Sequence, residues 1–502
     1  MRGVFTTLRR GREPPLLLKG PGGRAPNRSR SMEQRMQSIK KNPGNVVRSL
    51  LRRLAGITVS VALVAGTLVG TVLVGSDIVQ RDNAAVIPVA ASLALPVPAA
   101  SSEGPVRVAV VLGRTGTEAA DVLAPYDVLA SSGSFSVYTV SQDRAPVQLV
   151  GALPVLPTHT FSDIDGGVVA PPDLVVVPAV EEPAGEEEAG TRAWIVRQAD
   201  RGARILGVCS GSMLLAAAGL LDGHSATSHW SRLKSLRQSN PDVQWVGGQR
   251  YVQDGQFTTT AGVSSGVPGA LRMVHDFAGP EEAARVGALV GYPGWSVAGS
   301  TSVPEQAFAA ADAQVGLNAV LPWFRPIVGI GLTDGIGEMD AVATFEAYMV
   351  SGAAATVAVA ATPSITTRHG MVLLTTPVSA HGPAVDRLVL PGSVAPDARL
   401  SVWGSERSIR ADVITPGEGR TAFDSALEEL PAHAGSATVA ATAKFIDYPV
   451  EQLDLDTEAH GFRSILLLGV AVLLALGSGA LPSLLARLTR RSPARGDLRT
   501  SP

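Results

Sequence analysis

Two uncharged apolar runs, one near each end of the 502-residue chain, constrain its fold more than any other feature. The first covers residues 54–75 and the second covers residues 464–486. Each is long enough to cross the hydrocarbon core of a bilayer, which needs about 20 apolar residues in a helix. The sequence therefore predicts two transmembrane helices.

Basic residues flank both apolar runs. Residues 1–53 contain fourteen Lys and Arg against two acidic residues, and residues 487–502 contain five Arg against one Asp. Because Lys and Arg favour the cytoplasmic side, both ends are predicted to be cytoplasmic tails of a cell-membrane protein. The main domain between the spans is then extracytoplasmic. A cleaved signal peptide is the alternative for the first run, since small residues follow it at 90–94.

The chain between the two tails is acidic. Residues 54–486 hold 41 Asp and Glu but only 23 Lys and Arg. Such a surface repels a phosphate backbone, so no nucleic-acid partner is predicted. Residues 76–104 are rich in Ala, Val, Pro and Ser without helical or strand periodicity, and they are predicted to be a linker.

From residue 106 the chain alternates between strand and helix patterns. Runs rich in β-branched residues occur at Val106–Gly113, Phe135–Ser141 and Asp173–Ala179, and helical spacing occurs at Ala119–Ser131 and Arg192–Arg201. This alternation predicts an α/β domain with a parallel sheet covered by helices. In such sheets the ligand site lies beyond the carboxyl ends of the strands.

Cys209, the single Cys of the chain, follows a predicted buried strand and precedes a helix-forming run. Gly207 and Gly211 favour a tight strand-to-helix turn, the geometry that exposes a nucleophile in hydrolases. The positive end of the helix would favour the thiolate, so the pKa of Cys209 is expected to lie below the free-thiol value of about 8.5. The alternative is that Cys209 is only a small buried apolar residue.

Two longer segments, Gly207–Trp230 and Val243–Val274, carry a family resemblance. They resemble the ThiJ/PfpI family of the DJ superfamily, which is class I glutamine amidotransferase-like. Within it, they are most similar to the amidotransferase-like domain of AraC-type regulators and to isonitrile hydratase. The resemblance implies a flavodoxin-like three-layer sandwich over residues 105–296.

The resemblance also implies the roles of four residues. Cys209 would be the nucleophile, and Asp121, which matches an acidic family position after the first strand, would lie near its sulfur. Ser210 stands where hydratase-like members carry a hydroxyl, and His229 matches a family His. Two of these roles have an alternative. In the first, Asp121 is a helix cap and Glu118 is the acidic residue near the sulfur. In the second, His229 is a structural residue.

Metal and nucleotide motifs are absent from the sequence, which contains no H-E-x-x-H, C-x-x-C or P-loop pattern. No cofactor and no metal are therefore expected. A glutaminase of this superfamily pairs its Cys with a downstream His-x-Glu, which is missing between Val274 and the end of the first domain. Glutamine amidotransfer is accordingly not expected.

Residues 327–455 look like a partial second copy of the first domain, joined to it by a connector at 297–326. The segment Val328–Ala360 aligns with the start of the first domain and places Asp340 opposite Asp121. No Cys follows, so the copy is predicted to be degenerate and to lack the chemistry.

Two classes of function remain open. In one, the protein is a cysteine-dependent hydratase or hydrolase that acts on a small electrophilic metabolite. In the other, it is a non-catalytic module that senses a small molecule or an oxidant. In both classes the expected partners are a small molecule and the membrane. Assembly into a homo-oligomer is left open.

Overall fold

The computed structural model describes most of the chain between the two predicted tails. The described residues are 43–83, 96–100, 104–292, 295–379, 382–430, 434–450, 453, 455 and 462–489. Most of the predicted cytoplasmic tails, and residues 84–95 and 101–103 of the predicted linker, lie outside them. By its internal contacts the chain divides into a large unit, residues 66–475, and a small unit formed by residues 1–65 with 476–502.

The first long helix, α1, spans Pro43–Asn83. It contains the predicted span at 54–75 but does not end there, so the beginning of the predicted linker is helical. Its stretch Val47–Asp82 is long and apolar enough to cross a membrane. Large apolar side chains along it, such as Val61 and Leu73, are exposed.

The first half of the large unit is built on a parallel sheet, as the alternating pattern predicted. Its strands are β1 (Val106–Val111), β2 (Phe135–Ser141), β3 (Val147–Leu149), β4 (Leu153–Leu156), β5 (His159–Thr160), β6 (Leu174–Val177), β7 (Arg204–Gly207), β8 (Ser225–Ala226), β9 (Gln244–Trp245), β10 (Tyr251–Asp254) and β11 (Phe257–Thr260). Seven of them form one sheet in the order β10-β11-β7-β6-β1-β2-β5. All neighbours pair in parallel except β10 and β11.

Helices cover both faces of this sheet. They are α2 (Ala119–Ala130), α3 (Phe161–Asp165), α4 (Ala189–Asp200), α5 (Gly211–Ala217), α6 (Trp230–Ser239), α7 (Gly266–Ala278) and α8 (Pro280–Leu289). The central strand β6 is buried at all four of its residues. Burial on both faces explains its unbroken apolar sequence, because a parallel strand between two helix layers has no solvent side.

The second half repeats this kind of architecture. Its strands are β12 (Ile327–Gly331), β13 (Ala355–Ala360), β14 (Ser364–Thr366), β15 (Val372–Leu374), β16 (Thr376–Pro377), β17 (Arg387–Pro391) and β18 (Arg410–Ile414). Its helices are α9 (Ala313–Val320), α10 (Glu338–Ser351), α11 (Ala398–Glu406), α12 (Ala422–Glu429) and α13 (Ser436–Phe445). Five strands form a fully parallel sheet in the order β16-β13-β12-β17-β18.

The two halves share one hydrophobic core. Helix α2 packs directly on helix α10, and a single cluster of buried residues runs from Val108 in β1 to Val328 in β12. A four-stranded antiparallel sheet, β14-β15-β4-β3, joins them further, with Leu156 paired to Val372. The protein is therefore an α/β protein with mostly parallel sheets.

The last helix, α14, spans Arg463–Thr489 and contains the second predicted span. Its stretch Arg463–Leu485 is also long and apolar enough to cross a membrane. In the small unit the two long helices meet, where the Ser478 hydroxyl donates to the Leu63 carbonyl at 3.4 Å. Length and composition fit the two predicted spans, and their orientation stays a prediction.

Candidate functional site at the end of strand β7

Cys209 lies on a strained turn between β7 and α5. Its φ is 52°, a left-handed value that non-glycine residues seldom adopt and that often marks a functional site. The turn requires both neighbouring glycines. A Cβ at Gly211 would lie 2.1 Å from the Val177 carbonyl oxygen, and one at Gly207 would lie 2.8 Å from a Leu215 methyl carbon. The nucleophile-elbow geometry expected from Gly-x-Cys-x-Gly is present.

Hydrogen bonds hold this turn on the neighbouring elements. The Cys209 amide donates to the Thr260 hydroxyl at the end of β11 (3.0 Å). The Cys209 carbonyl accepts from the hydroxyls of Ser212 (3.0 Å) and Ser228 (3.4 Å). These bonds fix the backbone on both sides of the Cys209 Cβ at the carboxyl edge of the sheet.

Cys209 lines an open cavity of about 470 Å³ to which both halves of the large unit contribute. Cys209 is 6% exposed. The first half contributes Cys209, Ser210 and Glu118, and the second half contributes Glu346 and Phe445. A volume of this size suits a small metabolite.

Three carboxyl groups surround the thiol. Asp121 is fully buried, and its Oδ2 accepts from the Ala179 amide at 3.0 Å while Oδ1 has no partner. The side chains of Glu118 and Glu346 lie against each other. Burial raises the pKa of all three groups. The charge of Glu118 raises the pKa of Asp121 and Glu346 further, and the charge of Glu181 does the same for Glu118.

The expectation of a lowered pKa for Cys209 is wrong. Burial raises the pKa of the thiol well above its usual value, and the charges of Asp121 and Glu118 raise it further. The amide and hydroxyl of Ser210 lower the pKa, but they do not outweigh the burial and the two carboxylates. The resting group is therefore a thiol.

Ser210 and His229 both line the cavity, as predicted, but in different situations. The Ser210 hydroxyl lies 4.0 Å from the Cys209 sulfur. His229 has both ring nitrogens engaged: Nδ1 with the Ser231 hydroxyl and Nε2 with the Phe445 carbonyl, each at 2.7 Å. Burial lowers the pKa of His229, which favours the neutral ring. The bond of this ring to the Phe445 carbonyl connects the first half to the second. The structural alternative for His229 is the better description.

A second acidic cluster lies where α2 meets the second half. Asp127, Glu338 and His369 place one ligand atom each within 4.8 Å of one another. Among the described residues this is the group that could hold a metal ion. The ring Nδ1 already contacts the carboxylates of Glu338 at 2.8 Å and Asp127 at 3.5 Å. The cluster is thus internally paired.

Sequence reasoning missed the contribution of the second half to the cavity. Glu346 and Phe445 lie far from Cys209 in the chain, and nothing in their local pattern connects them to it. One signal was available for Glu346, since it is a lone charged residue in the apolar run Ala341–Val350. A charged residue on the buried side of a helix is uncommon unless it is paired or functional.

A parallel sheet covered by helices, with a cysteine at positive φ between a strand and a helix, defines an α/β protein with a nucleophile elbow. Comparison with known proteins narrows this class. The DJ-1/PfpI family model matches residues 106–275. Isonitrile hydratase of Pseudomonas putida is 36% identical over 166 residues, which are 32% of this chain and 68% of that protein. The chain belongs to the DJ-1/PfpI family.

Regulators and solved structures are also similar. The HTH-type transcriptional regulator CdhR of Pseudomonas aeruginosa is 31% identical over 136 residues, which are 26% of this chain and 40% of the regulator. The crystal structure of a ThiJ/PfpI family protein from Pseudomonas syringae has 26% sequence identity and a TM-score of 0.34, and the match covers 43% of this chain and 88% of that one. The predicted family resemblance is confirmed.

Proposed function

We propose that this protein is a membrane-anchored, extracytoplasmic enzyme that uses Cys209 as a nucleophile in the hydration or hydrolysis of a small electrophilic metabolite. One observation carries the proposal: a cysteine at positive φ lines a cavity of about 470 Å³ beside the buried carboxyl of Asp121. The similarity to isonitrile hydratase supports it.

The proposed chemistry assigns the proton transfers to Asp121. The resting group of Cys209 is a thiol. Asp121 Oδ1, which has no other partner, accepts the thiol proton while the sulfur adds to the substrate carbon. Asp121 then delivers this proton to the carbon itself in an isonitrile, or to the nitrogen that leaves as an amine in an amide. Water then replaces the sulfur, and one of its protons restores the thiol.

The second candidate is a non-catalytic module that senses a small molecule or an oxidant. Two observations favour it: several relatives are transcriptional regulators, and the raised pKa of Cys209 leaves little thiolate in the resting state. In this case the cavity binds a ligand without turnover.

We also propose that residues 327–455 are a degenerate copy of the first domain. The strand order around β12 repeats that around β1. The Asp340 carboxylate accepts from the Ser393 amide at 3.2 Å, as the Asp121 carboxylate accepts from the Ala179 amide. Limited proteolysis that left a stable 105–296 fragment and degraded the rest would contradict this proposal, because the shared core requires both halves.

The catalytic proposal is tested on the full chain in detergent micelles, since the second half completes the cavity. Small aldehydes, isonitriles and amides are incubated with wild type, Cys209→Ala and Asp121→Asn, and products are detected by mass. We expect turnover by wild type, none by Cys209→Ala, and a loss of about 10²-fold or more in Asp121→Asn. Ligand-dependent stabilisation without product would favour the sensing module, and equal turnover by Cys209→Ala would exclude a nucleophilic cysteine.

A further inference from the structure

A tight turn at residues 322–325 carries two aromatic side chains at its tip. The Arg325 amide donates to the Pro322 carbonyl at 3.3 Å, which closes the turn over Trp323 and Phe324. Phe324 has a φ of 60°, a left-handed value that turns normally assign to Gly or Asn. The residue is also 88% exposed. Backbone strain and the exposure of a ring to water both cost free energy, which indicates that the ring has a partner outside the chain.

The turn lies where both predicted membrane spans join the rest of the large unit. Gly75, the last residue of the first apolar run, is buried, and a Cβ there would lie 2.0 Å from the Val320 carbonyl oxygen. Val320 ends helix α9, and the turn follows it directly. At the start of the second span, the Arg463 guanidinium donates to the carbonyls of Pro322 (3.4 Å) and Trp323 (3.3 Å). The turn therefore contacts one span and directly follows the helix that contacts the other.

Polar groups mark the level at which the two helices enter a bilayer. Arg325 is paired with Asp82 near the end of α1, and Arg463 directly precedes the uncharged run of α14. Beyond these groups the helices present exposed apolar side chains such as Val74 and Ile465. Aromatic rings are enriched at this level of membrane proteins, because the headgroup region accepts both an apolar ring and its polar neighbours. The turn thus lies at the depth of an aromatic belt.

We propose that Phe324 inserts into the boundary of the bilayer that holds α1 and α14, so that the turn is a third membrane contact of the protein. Phe462, which immediately precedes α14 and is 67% exposed, lies at the same boundary and extends the contact. This inference rests on the membrane anchoring of the proposed function. Helix α9 also packs on α13, whose Phe445 lines the Cys209 cavity. The contact therefore helps to fix the position of the cavity relative to the bilayer.

The test places a fluorescent label at the turn in a chain that has no other thiol. Phe324→Cys is combined with Cys209→Ala, which removes the single native Cys, and the new thiol is labelled with nitrobenzoxadiazole. The matched control is Val168→Cys in the same background, because Val168 is 77% exposed in a turn of the first half. Both full-length chains are reconstituted into phosphatidylcholine vesicles that carry a nitroxide either near the headgroup or near the end of an acyl chain.

We expect the nitroxide near the headgroup to quench the label at position 324 more than the nitroxide near the chain end does, because interfacial apolar groups lie about 5–10 Å into the boundary between headgroups and acyl chains. Neither nitroxide should quench the label at position 168. Equal quenching at the two positions would overturn the inference. A label at position 324 that is shielded from water without any quenching would also overturn it, since a second copy of the chain would then cover the turn.

A second measurement uses the wild-type chain and needs no label. Brominated lipid quenches Trp fluorescence at short range, and Trp323 is a half-buried neighbour of Phe324. The wild-type emission should therefore fall in vesicles of brominated phosphatidylcholine, and the fall should be smaller in Trp323→Phe. An undiminished wild-type emission would contradict the membrane contact of the turn.

Extraction with alkaline carbonate separates this inference from the proposed anchoring. If carbonate removes the wild-type chain from the vesicles, the membrane-anchored part of the proposed function fails. If the chain stays in the vesicles but the label at position 324 is not quenched, the two spans stand and the third contact is wrong.

Discussion

Replacing Asp127 with Asn should stabilise the protein, and increasingly so as the pH rises. Asp127 is 4% exposed at the contact of α2 with the second half, where its Oδ2 accepts from the Met339 amide at 2.9 Å. Burial and the charge of Glu338 raise the pKa of Asp127 to about 7. Burial would lower the pKa of His369, but Glu338 and Asp127 together raise it. Asn keeps the acceptor for the Met339 amide without a charge.

The magnitude follows from proton linkage. An unfolded Asp titrates near 3.9, so between about pH 4 and pH 7 the folded chain keeps a proton that the unfolded chain has lost. Wild-type stability therefore falls as the pH rises through this window, by 1.36 kcal/mol per pH unit for an isolated group. Three units give a ceiling of about 4 kcal/mol. Because the pKa values of Asp127 and His369 depend on each other's charge, we expect about 2–4 kcal/mol.

The assay is chemical unfolding of the full chain in mild detergent, followed by Trp fluorescence at pH 4.5 and pH 8. The free energy of unfolding of Asp127→Asn should exceed that of wild type by more at pH 8 than at pH 4.5. Asp200→Asn, at an exposed carboxylate, should show no such change. An equal difference at the two pH values would refute the linkage, and with it the raised pKa of Asp127.

Three further predictions concern the elbow and the membrane. In thermal melts, Gly211→Ala should destabilise the protein by about 1–3 kcal/mol, because the added Cβ meets a backbone carbonyl. The control Gly316→Ala adds a Cβ in open space on α9 and should be neutral or stabilising. Alkylation of Cys209 should have a pH midpoint above 8.5, and Asp121→Asn should lower it by removing a negative charge; a wild-type midpoint below 8.5 would contradict the burial argument. A topology reporter fused after Gly104 should be active only outside the cytoplasm, and cytoplasmic activity would exclude the proposed orientation.

Much of the fold could be predicted because it depends on local pattern. The run Phe135–Ser141 is a strand over the same residues, and Ala119–Ser131 differs from α2 by one residue. Strands buried on both faces are rich in Val and Leu wherever they occur, and the two glycines flank Cys209 within two residues on either side. Such features can be recognised in a short window of sequence.

The composition of the cavity could not be predicted in the same way. Glu346 and Phe445 reach the site only because α2 packs on α10 and the end of α13 meets His229. The error about the pKa of Cys209 has the same origin. A helix terminus is visible in sequence, but the burial and the converging carboxyls that outweigh it depend on residues brought together by tertiary packing.

The pairing of β4 with β15 sets an order of events during synthesis. Leu156 has no partner strand on that side until Val372 has left the ribosome. Until then the hairpin β3-β4 presents an open apolar edge, which invites pairing with other chains. The first half therefore cannot finish folding as it emerges, and newly made chains should need protection by a holding chaperone until the second half arrives to close the sheet.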